Sequence, residues 1–506
     1  MWVAYHIHRT LMTLQGLCDL TIVVRRCRNE DCSRYQQAYR PEEEGRWALP
    51  HGECGLDVIA LVGQLRYREH RSVSEIHQQL KERGVQVCER TVEHLMHRYE
   101  ELVAVHLHHK DRLQAMVRKQ GRVILALDGL QPDVGHEVLW VVREVISGEI
   151  LVARALLSSS QEELAVLLRE AKDMLPAEVA VSGIISDGQL SIRKAVGAVF
   201  AGLPHQLCHF HYLREAAKPI YEADRHAKKE LKKQVRGIRA IEQSLEEEHG
   251  EEAHIVHDYC LAVRSSLTDD GHPPLSASGL LLHDRLTEIS ASIDRVAEKK
   301  GLPVQLERLQ RLLKKGLQAA GTDWEMLACV YGWVHQLAYV LDDAKERSVE
   351  ERQLGFQVIL LHMQQYTAQL RGTWPQAIAH FLKVTQSYGP QLFFCYQIPD
   401  LPRTNNALEQ SFGQVRFHER RATGRKGALP GLVVHGAVRV QAALASRLHV
   451  FTAQQLAPYD VQVWRDLRAQ VSFRQESRCK QSRFRRDPGT YLADLEAKLI
   501  KDSLRS

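Results

Sequence analysis

The chain has 506 residues, 44% hydrophobic and 25% charged, an ordinary globular composition with room for two to four domains. No apolar run approaches bilayer length, and interspersed His, Arg and Asp in residues 1–20 exclude a signal peptide, so a cytoplasmic protein without membrane contact is expected. Ten scattered cysteines exclude a disulfide framework, and a net charge of +5 permits a polyanionic partner without requiring one.

Residues 1–46 read as irregular, with one short apolar strand over 20–24 and a turn-like segment over 25–32. Residues 1–55 contain Cys27, Cys32, His51 and Cys54, four ligands in two pairs. Such a set could hold a structural Zn²⁺ that stabilises a domain otherwise too small to fold. The spacing is not a standard one, and ordinary reduced cysteines are the alternative.

Residues 56–115 turn helical. Val58, Leu61, Val62 and Leu65 share one face, a second helix spans 74–83 with Ser72 or Ser74 as its cap, and Gly84 stops it. A third helix follows over 89–102. Helix, short turn, helix is the layout of a helix-turn-helix DNA reader, whose recognition helix would present Arg90, Thr91, His94 and Arg98. A small helical bundle that touches no DNA fits the same pattern.

At residue 122 the period changes. An apolar run over 123–127, a second strand over 138–146, a Ser147-Gly148 turn and a third strand over 150–157 are followed by a helix over 160–175. A fourth strand over 179–185, a helix over 192–200 and a short strand at 205–208 complete a β-β-β-α-β-α-β order, an α/β sheet spanning 120–211. Residues 212–400 read as helical, with a basic helix over 228–243 and a loop over 269–278. Residues 401–450 carry a further helix, and 451–506 form a basic helical tail.

Two of the strands run into Asp-Gly, at Asp128 and Asp187. In α/β sheets ligands gather at the carboxyl ends of strands, so neighbouring strands would aim both aspartates into one crevice. Asp-Gly is also routine turn chemistry. Two carboxylates on rigid strands suit a hard cation such as Mg²⁺ or Mn²⁺, and a pair of such ions activates phosphodiester chemistry.

The β-β-β-α-β-α-β order, the two aspartates, the Cys208-His209-Phe210-His211 motif and the run Thr404-Asn405-Asn406-Ala407-Leu408-Glu409 together resemble a DDE transposase. They look most like the bacterial insertion-sequence group related to the Mutator-like superfamily. The resemblance covers residues 122–426. It implies a ribonuclease-H-like catalytic sheet, with residues 212–400 as a helical insertion. By position, Asp128, Asp187 and Glu409 would be the catalytic carboxylates holding two Mg²⁺ or Mn²⁺ ions, and Cys208 and His211 would match the C-x-x-H pair in a structural role. Glu419, Asp400 and Asp342 are rivals to Glu409. The implied activity is metal-dependent 3′-end cleavage and strand transfer. Implied partners are the element's terminal inverted repeats and target DNA, with at least a homodimer on DNA beside the bacterial nucleoid. A DNA-binding regulator that lost the chemistry, or another nuclease on the same sheet, are the competing readings. Arg416, Arg420, Arg421, Arg425 and Lys426 follow Glu409 and would hold DNA phosphates; a solvated helix face is the plain alternative.

Overall fold

The computed structural model describes residues 1–130, 137–245, 250–319, 323–342, 347–424 and 430–503. It divides into two units, Met1–His205 with Asp400–Ser506, and Gln206–Pro399.

The first unit begins with strands β1 (Trp2–Thr13) and β2 (Gly16–Arg26), an antiparallel hairpin to which the short β3 (Ala38–Tyr39) adds. This corrects the expectation of an irregular segment. Polar His6, His8 and Thr10 on the outer face dilute the apolar signal, while Leu11, Ile22 and Val24 are buried on the inner one. A short 3-10 helix (Glu42–Arg46) carries buried Glu44, which accepts from Arg9 of β1 at 2.7 Å.

Helices α1 (Leu56–Tyr67), α2 (Val73–Glu82), α3 (Glu89–Leu107) and α4 (Lys110–Gln120) follow. Ser72 caps α2 in a reciprocal capping box with Glu75, and Gly84, at φ 81°, lets the chain turn out of it. Val58, Val62, Leu65, Ile76, Leu80 and Val92 pack in one core. The helix expected to stop near residue 102 runs on to Leu107, because its last turns are buried as well.

A mixed five-stranded sheet comes next: β4 (Arg122–Leu130), β5 (Val138–Glu144), β6 (Ile150–Leu156), helix α5 (Gln161–Met174), β7 (Ala180–Ser186), helix α6 (Leu190–Val199) and β8 (His205–Leu207). The strand order is β6-β5-β4-β7-β8, with β4 antiparallel to β5 and parallel to β7. Strand β4 is buried along most of its length, which is why its sequence is a continuous apolar run rather than an alternation. Leu125, Leu127, Val142, Leu164, Leu168, Ile184 and Ile192 pack sheet against helices.

The second unit is helical: α7 (His209–Ala216), α8 (Lys218–Gln234), α9 (Ile238–Leu245), α10 (Glu251–Thr268), α11 (Ser278–Lys300), α12 (Val304–Ala319), α13 (Trp324–Leu341), α14 (Val349–Tyr366) and α15 (Trp374–Tyr388). The single helix expected over 228–243 is broken between Gln234 and Ile238. Gly237 sits in the break, where a Cβ would come within 3.2 Å of Leu312. One core gathers Leu231, Ile238, Leu286 and Leu309, another Tyr212, Trp333, Phe356 and Phe381.

The first unit resumes with α16 (Asn406–Thr423), α17 (Pro430–Leu448), α18 (Ala453–Leu456), α19 (Val461–Arg486) and α20 (Pro488–Ser503). Both α17 and α19 pack on α3, so the last hundred residues support the early helices.

Candidate active site

Asp128 lies within β4 rather than at its end, paired across to Val141 of β5. The parallel pairing of β4 with β7 stops at Ala126 and Ile185. Continuing that register by two residues sets Asp128 beside Asp187, where the two strands part. Each aspartate depends on the glycine after it. A Cβ on Gly129 would lie 2.9 Å from Val138 and 3.3 Å from Trp140 on β5, and Gly188 adopts φ 87°, which turns the chain away behind Asp187.

Glu409 comes from the first turn of α16, which packs against β4. The attachment is specific. Asn405 occupies the cap position of α16 but makes no capping bond; its Nδ2 instead donates to the Leu127 carbonyl at 3.1 Å, next to Asp128. Asn405 is buried, so this amide fixes where the helix starts relative to the strand. Ser186 and His205 support the other side. Ser186 Oγ lies 2.8 Å from His205 Nε2 and accepts from Gly188 N at 3.4 Å, bracing the backbone around Asp187. Burial and nearby Arg193 push His205 down to about 4, so at neutral pH it is an uncharged hydrogen-bonding partner. In sequence Asn405 stands out only as part of the run ending at Glu409, with no sign of its bond to β4, and Ser186 and His205 give no signal that they pair.

Asp128, Asp187 and Glu409 do not bring three ligand atoms within 4.8 Å of one another, the common reach of one ion, but they act on one another electrostatically. Asp128 is 7% exposed, and its carboxyl is pushed up to about 8 by burial, with the charges of Asp187 and Glu409 adding to the effect. Its Oδ1 accepts from Gly129 N at 2.8 Å, whereas its Oδ2 is buried without a hydrogen-bond partner among the described residues. Asp187 Oδ1 accepts from Gln189 N at 2.9 Å. Of the rivals, Asp400 is ion-paired to Arg122 and Asp342 ends α13 in the second unit; the Glu419 side chain lies outside the described residues.

Along α16, Arg416 and Arg420 follow Glu409 by seven and eleven residues. At 3.6 residues per turn both fall within about 20° of its stripe. Both are exposed. Arg421 points elsewhere, 3.5 Å from Glu75 of α2. Arg425 and Lys426 lie outside the described residues. On α3, Arg90 and His94 are exposed and Thr91 is half-buried beside Cys88. Arg98 is turned inward instead, bonded to Glu101 and 5.9 Å over the Trp464 ring, because the helix face it occupies is covered by α19.

No three of Cys27, Cys32, His51 and Cys54 come within common reach of one ion. Cys54 is buried under the hairpin, where burial raises its thiol to about 11, and His51 is exposed in a left-handed turn at φ 60°. Cys208 is fully buried ahead of α7, and its carbonyl accepts from Tyr212 N at 2.9 Å; His211 sits in that helix's first turn. The intervening His209 reaches the Leu392 carbonyl at 2.7 Å. No protein-family model matches the chain, and no curated protein shows significant similarity to it.

Proposed function

We propose that the chain is a DDE-type DNA transposase, cutting and joining DNA on a ribonuclease-H-like sheet with Asp128, Asp187 and Glu409 as its catalytic carboxylates. One observation carries the reading. Asp128 of β4 is buried, feels the charges of Asp187 after β7 and Glu409 of α16, and keeps an oxygen with no hydrogen-bond partner among the described residues. Such an arrangement is costly for a fold with no use for it, because a buried carboxyl is held near two half-exposed ones of like charge. Asp128, Asp187 and Glu409 would hold a divalent cation that relieves this cost once drawn together, and carboxylate oxygens suit Mg²⁺ or Mn²⁺. Bound there as a pair, such ions would activate the attacking oxygen and stabilise the leaving oxygen of a phosphodiester.

The protein's own part is positioning. Asp128 holds a proton near neutral pH and releases it when the site is loaded. Asn405 sets the depth at which Glu409 faces the aspartates, and Ser186 with His205 keeps Asp187 in line. Water and then the freed 3′-hydroxyl serve as nucleophiles, so no side chain need bond covalently to DNA. Helices α1 to α3 form the helix-turn-helix module, with Arg90 and His94 of α3 free to reach a groove and Arg98 retained as a packing residue.

Arg416 and Arg420 hold phosphates beside the carboxylates. Replacing both with Gln should weaken binding to any DNA sequence alike, by about tenfold at low salt, and should flatten the slope of log affinity against log salt by about two. A loss confined to one sequence in a fluorescence-anisotropy titration would assign these arginines to base reading instead.

The whole reading is tested with purified full-length protein and duplex DNA carrying the sequences that flank its gene. Strand cleavage at a defined phosphodiester, present with Mg²⁺ or Mn²⁺ and lost on adding a chelator, is the expected result. Intact DNA under all these conditions would leave a DNA-binding regulator as the better account.

A further inference from the structure

Helix α19 carries eight Arg or Lys residues against two acidic ones over its 26 residues, a basic helix that the reaction proposed above does not use. Beside it lies a groove of about 740 Å³, lined by α19, α17 and β6, the edge strand of the five-stranded sheet. Ala153 and Ala155 of β6 and Ala437 of α17 line it, and such small side chains leave it open. Arg474, Arg478 and Arg485 line the α19 side, spaced four and then seven residues apart, which sets them in one stripe. Arg474 and Arg478 share a single carboxylate, Glu137, at 3.4 and 2.7 Å. Arg154 pairs with Glu170, and exposed Arg485 has no partner among the described residues. Four arginines against two glutamates leave the groove positive. Phe473 also lines it and is 70% exposed. Phe484, 42% exposed, follows eleven residues later, three turns and about 16 Å along the same face. Exposed aromatic rings set among arginines are a platform on which bases stack.

We propose that this groove holds a single strand of DNA, with an unpaired base on Phe473 and phosphates on Arg485 and the Arg474–Arg478 pair. Two features exclude a duplex. A base inside a double helix has no free face to offer Phe473, and a groove with the volume of a small-molecule site admits a nucleotide or two rather than a double helix. A free nucleotide would leave Lys480, Arg483 and Phe484 unused, whereas a strand continues along them. None of Asp128, Asp187 and Glu409 lines the groove, so it is a second nucleic-acid surface. Taking the strand to be DNA rather than RNA rests on the reading above; the fit to an unpaired strand does not.

Fluorescence anisotropy of the full chain tests this, with labelled oligothymidine and oligouridine of about twelve nucleotides and a duplex of the same length. A chelator is present throughout, so failed strand binding and failed strand cleavage are separate results. The wild type should bind oligothymidine at least as tightly as oligouridine. Phe473→Ala should weaken oligothymidine binding about tenfold and duplex binding by less than about twofold, and Phe473→Trp should bind as the wild type does. Arg485→Gln should flatten the slope of log affinity against log salt by about 0.7 on the single strand. Both side chains are exposed, so these variants should fold as the wild type does. A wild type that does not bind oligothymidine, a Phe473→Ala variant of unchanged affinity, equal losses on strand and duplex, or binding to oligouridine alone would each overturn the proposal.

Discussion

Asp128→Asn is expected to lower metal-dependent strand cleavage by at least about a thousandfold, equivalent to about 4 kcal/mol in the barrier, while DNA affinity stays within about twofold. The change removes ligand charge from the carboxylate cluster and leaves Arg416, Arg420 and the α3 surface untouched. Gel assays of cleavage and anisotropy measurements of binding on the same preparation check both halves. Cleavage at the wild-type rate would remove Asp128 from the chemistry. The same substitution has a second consequence, in stability. Burial raises the Asp128 carboxyl from an ordinary 3.8 to about 8, so the folded protein holds a proton that the unfolded chain releases. Stability from this group is therefore complete below about pH 4 and is lost as pH rises towards 8, by an amount on the order of several kcal/mol. Chelator-treated wild type should melt at a lower temperature at pH 8 than at pH 6, Asp128→Asn should show much less of that decline, and added Mg²⁺ should reverse it in the wild type alone.

Arg439→Met is expected to destabilise the first unit by about 3–5 kcal/mol. Glu100 of α3 is fully buried, and its carboxylate accepts from Arg439 Nε of α17 at 3.0 Å and from the Tyr67 hydroxyl, with His435 Nδ1 3.3 Å away. Burial alone would raise Glu100, but Arg439, His435 and His97 outweigh it and bring the group down to about 2. With a depressed folded value, this stability is present above about pH 4.5 and is lost as pH falls towards 2. Removing Arg439 reverses the sign. An uncompensated buried carboxylate would gain a proton, so the variant should be relatively more stable at mildly acid pH than at pH 8. Pairing Arg439→Met with Glu100→Gln should recover much of the loss, because no charge then remains buried. Chemical denaturation followed by circular dichroism measures all three proteins, and an Arg439→Met variant as stable as the wild type would show that α3 does not need this clamp.

The periodic elements were legible in sequence because burial writes itself into residue order. The apolar run at 123–127 marks a strand covered on both sides, and Ser160 and Ser72 sit where helices α5 and α2 need their caps. The N-terminal hairpin was not legible. A strand with one face in water and histidines along it looks like loop composition, and only its pairing partner, set by the two-residue turn between Thr13 and Gly16, reveals it.

For the proposed site, the sequence by itself brought three candidate carboxylates into view: Asp128 within β4, Asp187 just after β7 and Glu409 early on α16. Tertiary structure decided how they stand to one another. The register of β4 against β7 sets Asp128 beside Asp187, the Asn405 amide on the Leu127 carbonyl brings Glu409 to them across some 280 residues of chain, and burial by the surrounding layers raises the Asp128 carboxyl. It also gave Arg98 and Arg421 the partners Glu101 and Glu75, which their sequence positions do not reveal. The physical reason is common to all of these. Helical and strand periods fix a side chain's direction relative to its own element, whereas its dielectric environment and its partners belong to whichever element packs opposite, and no local pattern contains that.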